Sequence, residues 1–347
     1  MRYLLLALLS LTFSIQDSWA ETNPNTLQDQ GFKAAKRISD SKPMYPKQDL
    51  YAGYEGWVVL SIIVDKQGNV KEPLVLGSSG RKNFEDNAKL AAMKFKYEPA
   101  TLNGEPIESA INKVMISFSI VKDKVGANSL FIKHYQRFEK SIAREKLTRM
   151  DTKIEKLERA YTRNRYEQAW INILKASYYN KTKDRKAYLQ ALTKAAGFSR
   201  NTLPSDVHAN NLINLYNAQI KAGKIKGALR TVERAEKIKS EQTRLKKIID
   251  HKSKMLAQVS TIPTLKAYGG ITAPDKPWTH QLLRNTVDIK VNNGQVDQIE
   301  LRCRNGLQKF DAIEASKHID IPKDWKDCIV FISSKKESEF AIAESLQ

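Results

Sequence analysis

The chain has 347 residues, 41% of them hydrophobic, with 58 Lys and Arg against 38 Asp and Glu and a formal net charge of +20. That content fills two or three packed cores, not one. The basic residues are mixed with glutamates along the chain instead of gathered in one aromatic-studded patch, and with the export signal described next this excludes nucleic acid as a partner and leaves anionic protein faces or lipid headgroups.

Arg2 is followed by an apolar run over 3–15 and then by Ser18-Trp19-Ala20. This is the pattern of a secretory signal, with cleavage expected after Ala20. The run falls short of the ~20 apolar residues that span ~30 Å of hydrocarbon, and Gln16 and Asp17 stop it. A retained membrane anchor is the alternative. No cysteine lies near the cut, so a lipoprotein anchor is excluded. Residues 21–43 are polar and are expected to be a flexible segment.

Residues 44–125 carry the clearest pattern. The stretch 56–64 (Gly-Trp-Val-Val-Leu-Ser-Ile-Ile-Val) is rich in β-branched and aromatic residues and predicts a strand. Asp65, Gly68 and Asn69 supply a tight reversal, and 70–76 returns as its hairpin partner. Phe84, Ala88, Ala91, Ala92 and Phe95 fall at helical spacings and give one apolar stripe to lie on the sheet. Tyr97-Glu98-Pro99 ends that helix, Asn103-Gly104 turns, and 112–120 alternates as the final strand. Trp57, Phe84, Phe95 and Tyr97 are expected in the core of this β-β-α-β unit.

These words, in order, resemble the TonB C-terminal domain family: Tyr45-Pro46 ahead of the sheet, Gly56-Trp57-Val58 opening it, Asp65, Gly68 and Val70 at the hairpin, Phe84, Glu85, Ala88 and Ala92 on the helix, Phe95-Lys96-Tyr97-Glu98-Pro99 closing it, then Asn103-Gly104. The resemblance implies a periplasmic protein whose last strand offers an edge to an extended segment of an outer-membrane TonB-dependent receptor, or of another TonB-system protein. That edge would be Asn112, Lys113, Val114, Met115, Ile116, Ser117, Phe118, Ser119 and Ile120. Lys113, with Lys122 and Lys124 beyond it, would guard the edge against non-specific pairing. A long Pro-rich spacer and a retained N-terminal helix, both features of the family's energy transducers, are not visible. An inner-membrane anchor applies only if the signal is retained.

Residues 126–260 are rich in Ala, Leu, Lys, Glu and Arg and predict helices almost throughout. The spacing of Leu174, Tyr178, Ala187 and Ala191, and of Leu215, Gln219, Ala228, Val232 and Ala235, resembles tetratricopeptide repeats, in which small residues let antiparallel helices approach closely. A generic bundle of helical hairpins fits the same spacing. Either array exposes a face for a second protein partner.

Residues 261–347 return to a β-rich pattern. Residues 287–291 and 296–303 predict a hairpin turning at Asn292-Asn293-Gly294. The order of Gly294, Val296, Phe310 and Pro322 echoes Gly68, Val70, Phe84 and Pro99, so this region reads either as a divergent second copy with a shortened helix or as a convergent β-β-α-β order. Cys303 and Cys328 are the two cysteines, and an even count in an oxidising compartment predicts one disulfide.

The whole is of α+β class: a TonB-like β-β-α-β domain, a central TPR-like helical array and a small C-terminal β-rich domain. The five histidines are scattered, and no nucleophile elbow, Walker sequence or Gly-x-Gly-x-x-Gly occurs. No catalytic residue, metal site or cofactor is predicted, and the chain is read as a binding protein, not an enzyme. Its alternative role is an envelope scaffold that uses the same modules without receptor binding.

Overall fold

The computed structural model describes residues 31–39, 41–120, 126–198, 202–238, 243–272 and 276–346. The signal over 1–20, Lys122 and Lys124 lie outside the described residues. The chain is of mixed α+β class. It opens with β1 (Phe32–Lys33), β2 (Lys36–Ser39), α1 (Lys47–Tyr51), β3 (Gly56–Val64), β4 (Val70–Ser78), α2 (Lys82–Ala92), β5 (Lys96–Glu98), β6 (Ala100–Leu102), β7 (Glu105–Ile107) and β8 (Ser109–Phe118).

Strands β4, β3 and β8 form an antiparallel sheet in that order, so β8 is an outer strand. Val58, Leu60, Ile62 and Val64 of β3, with Val114, Ile116 and Phe118 of β8, pack against Phe84, Ala88 and Ala92 of α2. Phe84 and Phe118 stack at 4.4 Å, and Tyr45 meets both rings edge-on. At the β3–β4 turn the Asp65 carboxylate accepts from the N–H groups of Gln67 and Asn69. Gly68 has φ +80°, and a Cβ there would lie 1.9 Å from the Tyr97 carbonyl oxygen, so the turn needs glycine.

The stretch expected to be flexible is instead structured over 32–39. β1 pairs with β6 and β2 with β5. The cause is non-local: two short strands after α2 leave main-chain groups unpaired, and a polar segment with no core-forming pattern can satisfy them. The helix also ends at Ala92, so Tyr97 and Glu98 lie in strand β5.

The helices are α3 (Ser129–Ala143), α4 (Met150–Tyr161), α5 (Arg165–Lys181), α6 (Arg185–Gly197), α7 (Ser205–Lys221), α8 (Ile225–Ala235) and α9 (Thr243–Thr261). Asn164 and Glu167 close a reciprocal capping box on α5, and the Asp184 side chain caps α6. α5–α6 and α7–α8 are tight hairpins, the second turning at Gly223 with φ +67°. Ala191, Leu215, Ala228, Val232 and Ala235 share one core cluster. α5 and α7 begin 40 positions apart (165 and 205), against 34 in a tetratricopeptide array, so the hairpins do not follow that period.

The C-terminal strands are β9 (Thr264–Ile271), β10 (Trp278–Gln281), β11 (Thr286–Asn293), β12 (Gln298–Cys303), β13 (Gly306–Phe310), β14 (Ser316–Asp320), β15 (Ile329–Ser333) and β16 (Ser338–Ser345). They form two four-stranded sheets, β10-β15-β12-β13 and β14-β11-β16-β9, whose inner faces share one core. Two expectations fail here. The hairpin of 287–291 with 296–303 does not form, because β11 and β12 belong to different sheets. Gly294 does turn, with φ +75°, but the turn crosses the sandwich: Val296 bridges to Ile313 and β12 pairs with β13 and β15. The second-copy reading fails too, since the region of the supposed helix begins with strand β13. Cys303 and Cys328 are disulfide-bonded.

Candidate functional site

The site starts with the direction of the backbone in β3. The Ser79 N–H donates to the Trp57 carbonyl at 2.9 Å, so Trp57 turns its main-chain groups toward β4. Bonding directions alternate along an antiparallel strand. Val58 therefore turns to β8, where it faces Ile116, as Leu60 faces Val114 and Gly56 faces Phe118. Val114, Ile116 and Phe118 thus bond inward to β3, and the N–H and C=O groups of Met115 and Ser117 point away from the sheet. Their side chains lie on the face opposite α2, and both are exposed, Met115 by 51%.

Both ends of the predicted edge are engaged within the chain. The Asn112 amide donates to the carbonyls of Arg302 (2.9 Å) and Asp327 (3.0 Å) and accepts from Ser61 Oγ (2.6 Å). At the other end one oxygen of the buried Glu55 accepts from the Ile120 N–H and Ser119 Oγ, and the other from the Arg165 N–H at the start of α5. Of the nine predicted residues, Asn112, Ser119 and Ile120 are anchors, Val114, Ile116 and Phe118 are core, and Lys113, Met115 and Ser117 line the opening. The outward-pointing stretch is thus shorter than the 112–120 edge that the family resemblance implies.

The anchors belong to two larger contacts that the sequence does not announce. Trp57 and Val59 pack with Ala169, Phe198 and Leu203 of the helical region. A Cβ at Gly197 would lie 2.0 Å from the indole, so Gly197 is the floor of the Trp57 slot. Trp57 is buried as expected, but in this joint and not under α2. The available signal was 56–64 itself: a sheet covered on one face alternates, whereas a continuous apolar run marks cover on both. The second contact is Arg302, 1% exposed on the outer face of β12. It pairs with Glu300 at 3.0 Å and Glu72 at 3.4 Å, and donates to the Glu72 carbonyl at 2.7 Å. Lys309 also pairs with Glu72, at 2.7 Å.

A basic helix stands beside the opening. Lys226 of α8 pairs with Asp327 at 3.6 Å, the same residue whose carbonyl holds Asn112. Lys226, Arg230 and Arg234 follow at steps of four, with Lys237 just past the helix end, so they fall on one side. Burial first, then the charges of Arg230, Arg234 and Lys237, hold the Lys113 ammonium below its ordinary value, with Glu233 opposing them. Burial likewise lowers Lys226 and Arg230.

Small-molecule chemistry finds less support. A polar cleft of about 240 Å³ lies between α4 and α5, lined by Asp151, Glu155, Glu158, Lys175 and Tyr178 among others, below the roughly 300–1,000 Å³ of typical ligand sites. Among the described residues no group of three or more His, Cys, Asp or Glu is placed to hold a metal ion.

The geometry is that of a small sheet-and-helix module whose outer strand β8 turns main-chain groups of Met115 and Ser117 away from the sheet. Residues 41–120 match the family described as the Gram-negative bacterial TonB protein C-terminal, and this segment is a domain of that family. Protein TonB of Xanthomonas campestris pv. campestris (strain B100) is 33% identical over 78 residues, covering 22% of this chain and 34% of that protein. Protein TonB of Vibrio cholerae serotype O1 is 34% identical over 80 residues, covering 23% and 33%. The chain thus spans about a third of the length of the curated relatives it matches. The solution structure of the Pseudomonas aeruginosa TonB CTD aligns at 24% identity and a TM-score of 0.24, covering 26% of this chain and 92% of that one.

Proposed function

We propose that this is a periplasmic TonB-system protein that binds an outer-membrane TonB-dependent receptor, or another component of that system, by β-strand addition to β8. The carrying observation is the outward-pointing backbone of Met115 and Ser117 on the outer strand of a TonB C-terminal domain. An added strand would gain main-chain hydrogen bonds of about 0.5–1.5 kcal/mol net each. The work proposed is binding, with no chemical step. In this reading the chain divides into a signal (1–20), a leading segment (21–43), the TonB-like domain (44–125), a helical array (126–260) that presents a face to a second protein, and a C-terminal β domain (261–347). No helix of the described residues is long and apolar enough to cross a membrane.

A scaffold role without receptor binding is the second reading. It is favoured by the internal engagement of Asn112 and Glu55, which ties the domain to both of its neighbours. Affinity capture from outer-membrane extract separates the two. Met115→Pro removes an outward N–H, which an edge strand tolerates; Val114→Pro would break the ladder to β3. Capture of a TonB-dependent receptor by the parent chain and its loss with Met115→Pro supports the first reading. An unchanged partner list supports the scaffold.

A further inference from the structure

We infer that β9 of the C-terminal domain is a second association edge, and that its partner is β9 of another copy of this chain, paired antiparallel about a two-fold axis at Gly269. The inference stands apart from whatever β8 accepts. β9 is the outer strand of its sheet, and among the described residues no strand lies on its far side. The Leu346 N–H donates to the Pro263 carbonyl at 3.1 Å, one pair beyond Thr264 and Ser345 in the register with β16. Bonding directions alternate from there. Leu265, Ala267, Gly269 and Ile271 therefore bond to β16, and Lys266, Tyr268 and Gly270 turn their N–H and C=O groups outward. A Cβ on Gly269 would meet the Phe340 ring at 2.3 Å, so that position faces the core and its two neighbours face solvent. Lys266, Tyr268 and Gly270 are all exposed, Tyr268 by 74%.

An outer strand is ordinarily blunted by charge, proline, a bulge or cover. β14, the opposite edge of the same sheet, carries Lys317, His318 and Asp320. β9 runs without a bulge through all 8 of its residues against β16. Its cover is confined to one end: the α7–α8 turn lies over Lys266, where a Cβ on Gly223 would come within 3.4 Å of the Lys266 carbonyl oxygen. Tyr268 and Gly270 have neither charge nor that cover. A second copy is favoured because the strand is complementary to itself. With Gly269 facing its own counterpart on the axis, Tyr268 lies opposite Gly270 of the second copy, and each such pair exchanges both N–H···O bonds. The exposed ring of each copy then covers the bare glycine of the other on the outer face, a cross-strand contact of aromatic on glycine. Lys266 lies opposite Thr272 of the second copy, so no like charges meet. β9 ends at Ile271, so the second chain leaves the ladder before it reaches the α7–α8 turn. Two chains so joined would carry two β8 strands on one assembly, which raises avidity for clustered partners.

Sedimentation equilibrium on the full chain should show monomer and dimer in exchange, with a dissociation constant on the order of 100 μM, as small transient interfaces give. Gly270→Pro removes an outward N–H and leaves the bonds to β16 in place, and Tyr268→Ala removes only an exposed ring; each should weaken the dimer about tenfold or more. Residue-resolved amide exchange at loadings about tenfold below and about tenfold above that constant identifies the strand. The amides of Tyr268 and Gly270 should slow as concentration rises, and those of Met115 and Ser117 should not. Should Gly270→Pro fail to fold, Tyr268→Ala and the exchange measurement on the parent chain decide. A monomer at every loading, a dimer that both variants leave unchanged, or slowing at Met115 and Ser117 in place of Tyr268 and Gly270 overturns the inference. Protection of Tyr268 and Gly270 at every loading without a dimer overturns it as well, since the edge is then covered within one chain.

Discussion

Arg302 shows how a single side chain can be decisive and still unreadable in the sequence. Ile299, Leu301 and Cys303 alternate inward, so periodicity assigns Glu300 and Arg302 to solvent. They are buried only because the TonB-like sheet covers that face of β12. Removing one member of a buried pair leaves the other uncompensated, so Arg302→Ala should cost about 3–5 kcal/mol, measured as the change in urea unfolding free energy. Asp65, by contrast, was legible as a turn former. Burial alone would raise its pKa, but hydrogen bonds from Asn69, Lys71 and Gln67 outweigh burial and hold the carboxyl below its ordinary value. A group depressed on folding contributes stability that is present above the unfolded pKa of about 3.9 and is lost as pH falls through the folded value. Urea midpoints measured from pH 6 downward should therefore fall more steeply below about pH 4 in the parent chain than in Asp65→Asn.

At the scale of elements, legibility followed how local the cause was. The β3–β4 hairpin, the body of α2 and the helical hairpins are fixed by turn residues and apolar spacing within each segment, although α2 stops at Ala92, short of the expected end, and Tyr97 and Glu98 lie in β5. β1 and β2 were invisible because their partners, β6 and β5, lie about 57 to 70 residues away and supply backbone bonds instead of an apolar pattern. The false hairpin of β11 and β12 arose from a correct turn at Gly294 joined to a wrong partner, since both strands alternate and either sheet could accept them. The outer position of β8 was anticipated, but its two anchored ends were not, because Asn112 and Glu55 bond to residues more than 100 positions distant. The disulfide ties the end of β12 to the approach to β15, with a sequence separation of 25. In the chain-entropy account closing such a loop is worth about 3.5 kcal/mol. The Cys303→Ser and Cys328→Ser double variant should be less stable by that order, and reducing agent should lower the unfolding midpoint of the parent chain but not of the variant.

Across the whole molecule, the TonB-like sheet is the piece on which the other two regions meet. Its α2-distal face receives Phe198 and Leu203, and the Arg302 cluster closes over β3 and β4. Such cover holds β8 in register while leaving a short window between Asn112 and Ser119. Gly197→Val should disturb this junction through the Trp57 ring, with a loss of about 1–3 kcal/mol in unfolding free energy. The central claim, that this window accepts a strand, is tested most directly by residue-resolved amide hydrogen exchange along 113–118, with and without the receptor captured from outer-membrane extract. The amides of Met115 and Ser117 should exchange fast in the isolated protein and those of Val114, Ile116 and Phe118 slowly, and receptor should slow the two fast ones. Uniform protection in the isolated protein, or no change at Met115 and Ser117 when receptor is bound, would contradict it.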